Sequence, residues 1–405
     1  MALTYLTELS WLSVLLLAGL IVSIIAIKIK ITDLILLIII GIFFGYLVSF
    51  PPSFLISIGL FALIMIIFES TSKFKIREIK QLYPHSIKLA LIFMLFNLIF
   101  LSLFTHLLFH NQFTIPSILL SLLFSAIMSG TSPDVVLTIL KEKKQKLAEI
   151  LEIESIINTP ITVLIPLIIL NIYQGIFQAQ ALLTTFLQSI MTGIGAGLFL
   201  GLVSFRLMKK QYLENISPLV VIALALISYS VAEYLGGSGV LSVTVLGLIF
   251  GQSILKEKEE LQKFTAIFTN FLKIIVFVLL GVMLKIPFTF NFLLKATILF
   301  TIYLAIRYLA VHVTFLKQKL EQKEKLFMTF NVSKGVAVAV VVFILSAYNI
   351  PELTNILSLS YIFILYSIVL ASITGKFTNQ ALKKEVNLNP KNDKNRASWT
   401  RAKQS

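Results

Sequence analysis

Two polar stretches carry the side chains of this chain that are best suited to chemistry. The first reads Met128-Ser-Gly-Thr-Ser-Pro-Asp-Val135, and the second reads Leu151-Glu-Ile-Glu-Ser-Ile-Ile-Asn-Thr-Pro160. Each stretch places acids and a proline inside otherwise apolar sequence. A buried carboxylate or an unpaired backbone group costs several kcal/mol inside a bilayer. These two stretches are therefore predicted to be the place where an ion or a proton meets the protein.

The composition predicts that the segments around these stretches lie in a membrane. Of 405 residues, 58% are hydrophobic and only 13% are charged, and the mean hydropathy is +0.95. A soluble protein carries about 25% charged residues. We predict an all-α membrane protein of about thirteen transmembrane helices, since each apolar run is close to the roughly 20 residues that cross a bilayer. The predicted spans are 5–27, 31–50, 54–70, 86–109, 115–140, 147–173, 181–207, 216–236, 238–254, 264–286, 290–314, 325–348 and 353–376.

The net charge of +15 is distributed in the way that is typical of a multi-pass membrane protein rather than of a nucleic-acid-binding protein. Basic residues follow the odd-numbered spans, as at Lys28, Arg77, Lys144 and Lys323. The positive-inside rule then places the N-terminus outside and the C-terminus in the cytoplasm of a cell-membrane protein. We expect residues 1–377 to form a transmembrane cation/proton exchanger domain and residues 378–405 to form a basic cytoplasmic tail. With no cysteine, the chain has neither disulfides nor thiolate metal sites.

Two spans are interrupted at corresponding positions, which is typical of transporters built from inverted repeats. The fifth span contains the sequence Gly130-Thr-Ser-Pro133, and the twelfth contains Asn331-Val-Ser-Lys-Gly335. Broken helices leave free N–H and C=O groups at mid-membrane, and the ends of the half-helices stabilise charge. The alternative is that glycine and proline merely kink ordinary spans.

The charged residues near the two interruptions predict one ion pair and one unpaired acid. We predict a buried structural pair between Glu154 and Lys334, which would connect the two repeats. Asp134 then remains as an unpaired carboxylate that holds either a proton or a cation but not both. This competition is the chemistry of proton-coupled cation exchange. The alternative role for Asp134 is to cap the N-terminus of a half-helix. Glu69 and Arg307 are expected to be accessory charged residues.

Hydroxyl and amide side chains around Asp134 are suited to a monovalent cation, because hard cations take oxygen ligands. Glu154, Ser155, Asn158 and Thr159 share roughly one helix face by their spacing. We name Asp134 and Asn158 as direct ligands of the cation. The predicted ion- and proton-binding set is Asp134, Thr131, Ser132, Ser155, Asn158 and Thr159.

Several further segments resemble the monovalent cation:proton antiporter superfamily, and in particular its archaeal and bacterial sodium/proton antiporters with thirteen spans. These segments include Phe68-Glu69, Gly236-Gly-Ser-Gly-Val240 with the sequence that continues to Gly251, Phe277-Val-Leu-Leu-Gly281 and Ala305-Ile-Arg307. An early span from Lys28 to Gly45 is similar to its counterpart in the family. The resemblance covers nearly the whole hydrophobic region.

The resemblance implies a dimerisation domain and a six-helix transport bundle made of spans 4–6 and 11–13, in which broken spans five and twelve cross. It also implies a homodimer and an elevator-like movement of the bundle. The expected ligands are protons and a monovalent cation, with sodium as the expected cation, and the expected surroundings are a lipid bilayer. The resemblance implies neither an enzymatic reaction, nor catalytic residues, nor a cofactor, nor a nucleic-acid partner.

This chain departs from the family pattern at three site positions. It has Thr131-Ser132-Pro133 where the family usually has Thr-Asp-Pro, Thr159 where the family has a second acid, and Lys334 where the family has arginine. The carboxylate site is thus relocated to Asp134 or reduced. Alternatives are an uncoupled cation channel or a transport-deficient homologue on the same scaffold, and a transporter of an organic or anionic solute. Flux measured with and without a pH gradient separates the exchanger from the channel.

Overall fold

The computed structural model describes residues 2–29, 33–48, 50–73, 83–110, 112–132, 146–175, 182–210, 217–252, 258–284, 287, 289–317, 320–348 and 350–386. These residues form helices and connecting turns and contain no β-strand. The helices are α1 (Ala2–Ile29), α2 (Asp33–Gly45), α3 (Pro52–Ser72), α4 (Tyr83–Phe96), a π-helical turn (Asn97–Leu101), α5 (Ser102–Phe109), α6 (Ile115–Ile127), α7 (Lys146–Tyr173), α8 (Leu182–Lys210), α9 (Ser217–Tyr234), α10 (Gly239–Gln252), α11 (Lys258–Met283), α12 (Phe290–Thr314), α13 (Gln322–Phe330), α14 (Val336–Ala347), a 3-10 turn (Pro351–Leu353) and α15 (Thr354–Val386).

The predicted class is confirmed, because the described residues form an all-helical membrane protein. Eight of their helical segments are long and apolar enough to cross a bilayer, and five shorter helices are also apolar. Some predicted bounds are corrected. Helix α11 begins at Lys258 rather than at 264, since Glu259 and Glu260 favour a helix N-terminus. Helix α15 continues to Val386, past the end of the predicted span at 376.

The helices pack as two groups. The scaffold, defined here as α1–α3 and α8–α11, is joined by close contacts between α2 and α11 and between α8 and α10. A Cβ atom on Gly281 of α11 would lie 2.7 Å from the Cα atom of Gly41, and a Cβ atom on Gly193 of α8 would lie 2.5 Å from the carbonyl oxygen of Ser238. These backbones touch, because glycine has no side chain to separate two helices.

The second group, called the bundle, consists of α4–α7 and α12–α15. Its helices are tied by side-chain bonds to backbone oxygens. Ser86 of α4 donates to the Ile150 carbonyl of α7 at 3.1 Å, and Lys88 donates to the carbonyls of Val313 and Thr314 at the end of α12 at 3.4 and 3.3 Å. Helix α14 packs against α6, α7 and α15 and is grouped with the bundle here, but its contacts with α3 and α11 of the scaffold are more extensive. The bundle positions the polar stretches, and α14 brings them next to the scaffold.

Candidate functional site

Two non-helical segments cross inside the bundle. The first break is residues 128–132, after α6, and the second break is residues 331–335, between α13 and α14. The Ser132 N–H donates to the Ser333 carbonyl at 2.8 Å, and the Ser333 hydroxyl donates to the Ser132 carbonyl at 2.6 Å. A side chain on Gly335 would collide with Ser132, so the close approach requires glycine. The two breaks therefore hold each other in place at the crossing.

Every carbonyl of the first break accepts a hydrogen bond from a side chain. Such pairing is required because free C=O groups in a membrane are costly. The pairs are Lys334 to Met128 at 2.5 Å, Asn158 to Ser129 at 2.6 Å, Lys334 to Gly130 at 2.9 Å, Ser155 to Thr131 at 2.9 Å and Ser333 to Ser132 at 2.6 Å. Side chains of α7 and of the second break thus replace the helical hydrogen bonds that α6 loses at its C-terminal end.

The ammonium group of Lys334 lies at the centre of this arrangement and is fully buried. Besides the two carbonyls of the first break, it donates to the hydroxyl of Tyr303 at 2.5 Å and lies 4.4 Å from the centre of that ring. Its backbone N–H donates to Ser367 of α15 at 3.0 Å. Its positive charge therefore sits against the negative C-terminal end of α6.

The predicted ion pair between Glu154 and Lys334 is wrong. Both carboxylate oxygens of Glu154 accept from Arg307, with Nη1 to Oε1 at 2.5 Å and Nη2 to Oε2 at 2.7 Å. Both side chains are fully buried, and Arg307 also donates to the Met328 carbonyl at 3.3 Å and covers the ring of Phe93 at 4.6 Å. A planar guanidinium matches a carboxylate with two parallel bonds, whereas an ammonium suits separate oxygens. Arg307 is consequently a central residue and not an accessory one.

The remaining predicted site residues of α7 line one side of the first break. Ser155 and Asn158 contact its carbonyls, and the Asn158 side-chain oxygen accepts from Thr162 at 3.1 Å. Thr159 donates to the Ser155 carbonyl at 2.8 Å. The buried hydroxyl oxygen of Thr131 has no hydrogen-bond partner among the described residues. Predicted ligand residue Asp134 lies outside the described residues.

Sequence reasoning missed two polar residues at the crossing. Tyr303 lies four residues before Arg307 on α12, so both face the bundle interior, and this i, i+4 spacing was the available signal. Asn97 occupies the π-helical turn after α4 and donates to the Ser129 hydroxyl at 3.4 Å. A single amide inside an apolar run was the signal for Asn97, since a buried amide needs a partner.

Other charged residues lie away from the crossing. Glu69 pairs with Lys73 at the end of α3, and Lys273 lies 3.8 Å from Asp33. Beyond the end of α5, burial and then the neighbouring His106 lower the pKa of His110, which keeps its imidazole neutral at pH 7. These groups take part in packing and in the membrane boundary rather than in the crossing.

A cavity of about 460 Å³ lies between the scaffold and the bundle. Its walls come from α3, α7, α8, α9, α10 and α14. The lining residues Val163 and Leu167 of α7, and Gln174 directly after its end, continue the helix face of Thr159, at spacings of four and seven residues. Val163 lies one helical turn, about 6 Å, from Thr159. The cavity therefore leads toward the α7 side of the crossing.

Comparisons with known proteins agree with this arrangement. The family model described as "Sodium/hydrogen exchanger, transmembrane" matches residues 12–381. The chain is 28% identical over 309 residues to the "Probable Na(+)/H(+) antiporter 2" of Methanocaldococcus jannaschii. The aligned region covers 71% of this chain and 72% of that protein. It is 26% identical over 354 residues to the "Na(+)/H(+) antiporter 1" of the same organism, and this aligned region covers 81% of each chain.

The fold is also similar to a solved structure, that of the sodium proton antiporter MjNhaP1 from Methanocaldococcus jannaschii at pH 8. The TM-score is 0.79 at 21% identity, and the match covers 91% of this chain and 99% of that one. The family match spans nearly all of the helical region described above. The chain therefore belongs to the sodium/hydrogen exchanger family, as its resemblance to the monovalent cation:proton antiporters predicted.

Proposed function

We propose that this chain is a secondary active transporter that exchanges protons for a monovalent cation, sodium, across the cell membrane. The observation that carries the proposal is the crossing of two non-helical breaks beside Ser155 and Asn158, in a member of the sodium/hydrogen exchanger family. Half-helix ends and unwound backbone are the groups with which transporters hold ions at mid-membrane.

Thirteen spans are proposed, with α6 as part of the fifth span and α13 and α14 together as the twelfth. The basic loops support an extracellular N-terminus and a cytoplasmic C-terminus. In this orientation the cavity opens on the extracellular side, because α7 and α9 end there and α8 and α10 begin there. We propose that the bundle moves against the scaffold to expose the crossing to each side in turn, and that the protein works as a homodimer.

The charges at the crossing support Asp134 as the group that exchanges protons. Glu154 is neutralised by Arg307 through two hydrogen bonds, and the Lys334 side chain is held by neutral oxygens. Ser155, Asn158 and Thr159 do not titrate in the physiological range. Asp134 follows the first break by two residues and is the relocated carboxylate of our proposal. A proton and a cation that compete for one carboxylate give obligatory exchange.

The proposed cation shell adds neutral oxygens to this carboxylate. Five polar side chains lie in or beside the first break. They are the unpartnered hydroxyl of Thr131 and the side chains of Ser132, Ser155, Asn158 and Thr159. A small hard cation such as sodium prefers such oxygens. The cation is cargo and is bound only transiently.

The test is sodium uptake by proteoliposomes with an imposed pH gradient, using the Asp134→Asn variant. Asparagine keeps the size and capping ability of aspartate but cannot exchange a proton, so proton-coupled sodium flux is expected to fall to the level of empty vesicles. Asp33→Asn is the matched control, since Asp33 pairs with Ser23 and Lys273 away from the crossing, and it should retain coupled flux.

Two outcomes of this assay would contradict the proposal. Unchanged pH-driven flux in Asp134→Asn would remove Asp134 from the mechanism. Sodium flux in the unaltered protein that ignores the pH gradient would show an uncoupled channel instead of an exchanger.

A further inference from the structure

The Lys334 ammonium group is held in the way that a free cation would be held. An ammonium carries three N–H donors and no acceptor. Each donor meets one oxygen, namely the carbonyls of Met128 and Gly130 and the hydroxyl of Tyr303, at 2.5, 2.9 and 2.5 Å. We call these three oxygens the cage. Among the residues that the structure describes, no carboxylate belongs to it, so these three oxygens bind positive charge through dipoles, as the carbonyl filters of ion channels do.

The chemistry of the cage differs from that of the other buried cation at the crossing. Arg307 is fixed by a bidentate carboxylate, and its flat, five-donor shape has no counterpart among small cations. Lys334 presents a compact point charge on a flexible four-carbon stem. Two of the oxygens around it, those of Met128 and Tyr303, lie at 2.5 Å, within the range of about 2.3–2.6 Å at which oxygen ligands hold a hard cation, and the Gly130 carbonyl lies further away at 2.9 Å.

We propose that the ammonium group of Lys334 and the transported cation alternate in the cage formed by Met128, Gly130 and Tyr303. The chain thus contains a tethered competitor of its own cargo. This inference rests on the proposed function, because it adds to the proposed shell around Asp134 a second set of oxygens that the same cation occupies during transport. In the conformation described here the tethered ammonium occupies the cage, and a cargo cation binds there only after the ammonium has withdrawn.

A chemical-rescue experiment tests the cage. Lys334→Ala removes the tethered ammonium and leaves the two carbonyls and the hydroxyl without their partner. We expect methylammonium chloride to raise the melting temperature of this variant in detergent by about 2–4 °C at saturation, because the ligand binds the folded state only. Choline, whose quaternary nitrogen has no N–H donor and is too bulky, should give no shift.

The matched control is Lys88→Ala. Lys88 also caps two helix-end carbonyls, those of Val313 and Thr314, but its side chain is exposed. Neither this variant nor the unaltered protein should respond selectively to methylammonium. An equal response of all three proteins would overturn the proposal. If Lys334→Ala folds poorly, it is to be purified in methylammonium, and failure to recover folded protein in any small cation would also overturn the proposal.

The alternation with cargo is tested by a series of alkali chlorides. The order in which sodium, potassium and lithium stabilise Lys334→Ala should match the order of their KM values in flux by the unaltered protein. If methylammonium stabilises Lys334→Ala but the alkali cations stabilise it in an order unrelated to their KM values, the cage binds only the lysine side chain. The proposed alternation with cargo would then be wrong. Absence of coupled flux in the unaltered protein would instead contradict the proposed function, while methylammonium rescue would still establish the cage.

Discussion

At the scale of single residues, the three buried charged side chains that the structure describes at the crossing have two kinds of partner. Glu154 and Arg307 neutralise each other, whereas Lys334 is satisfied by neutral oxygens. Both solutions avoid an unpaired charge in a medium of low dielectric constant. The difference matters for function. The bidentate ion pair fixes α7 to α12, whereas the oxygens around the ammonium group form a site that has the chemistry of a cation-binding site.

The Glu154–Arg307 pair gives a prediction about stability. Glu154→Gln and Arg307→Met should each destabilise the protein by about 3–5 kcal/mol, because each strands one buried charge. The double variant should recover much of this loss, since an intact buried pair contributes little net stability. Unfolding of the four proteins in detergent measures the coupling as non-additivity.

The control for this cycle is Glu69→Gln. Glu69 pairs with Lys73 on the same helix at i, i+4 spacing, and Lys73 is half exposed. Loss of such a pair should cost only about 0.3–0.5 kcal/mol. Additive losses in the Glu154 and Arg307 double variant would show that this pair is not a coupled unit in solution.

The sequence identified Glu154 as a buried acid and Lys334 and Arg307 as basic residues of the spans, but it could not match them. Helical spacing places residues on a face of one helix, and it does not say which face of α12 or of the second break meets α7. The pairing depends on how helices pack, and so does the contact of Ser155 and Asn158 with carbonyls of the first break.

At the scale of elements, glycine positions decide how closely the scaffold helices approach. Gly193, Gly197 and Gly201 of α8 face α10, and a Cβ atom on Gly197 would collide with the Ser242 carbonyl. Gly195 lies on the same helix, and a Cβ atom there would meet nothing within 4 Å. The spacing of four residues places the three glycines in one stripe along α8.

Gly197→Leu should therefore destabilise the protein by about 1–3 kcal/mol, because the added side chain forces α8 away from α10. Gly195→Leu is the control on the same helix and should change stability by no more than about 1 kcal/mol. Thermal unfolding in detergent compares the two variants. Equal losses would mean that backbone flexibility, rather than the contact with α10, determines the effect.

The sequence predicted interruptions at glycine, proline and asparagine residues of two spans, but it did not predict where the helices beside them end. Helix α6 ends at Ile127, earlier than the run of apolar residues suggested. The apolar run continues through Met128, whose carbonyl already accepts from Lys334. A partner from a distant element ended the helix, and local propensity carries no information about such a partner.

At the scale of the whole molecule, the cavity marks the boundary between scaffold and bundle. Because the chain has no cysteine, introduced thiols can be cross-linked without background. Leu60→Cys of α3 with Leu167→Cys of α7 places one thiol on each group, and both positions line the cavity. A short bismaleimide that joins them should abolish most exchange, because the two groups can then no longer move against each other.

The control pair keeps Leu167→Cys and adds Ile344→Cys of α14, which also lines the cavity but belongs to the bundle. Cross-linking within the bundle should leave most exchange intact. Proteoliposome flux before and after the reagent measures both pairs. Full activity of the cross-linked α3–α7 pair would rule out relative movement of scaffold and bundle as the transport step.

The aliphatic part of the cavity wall has an electrical consequence. On α7 the lining side chains between the crossing at Thr159 and Asn171 are all aliphatic, and α14 adds Val341 and Ile344, whereas polar side chains such as Asn171, Gln174 and Glu233 line other parts of the cavity. Aliphatic side chains offer nothing to a dehydrating ion, and narrow apolar passages empty of water. The aliphatic part therefore separates the polar crossing from the polar part of the cavity, so that ions do not leak through it and dissipate the membrane potential. Charge then crosses only when the protein itself carries it.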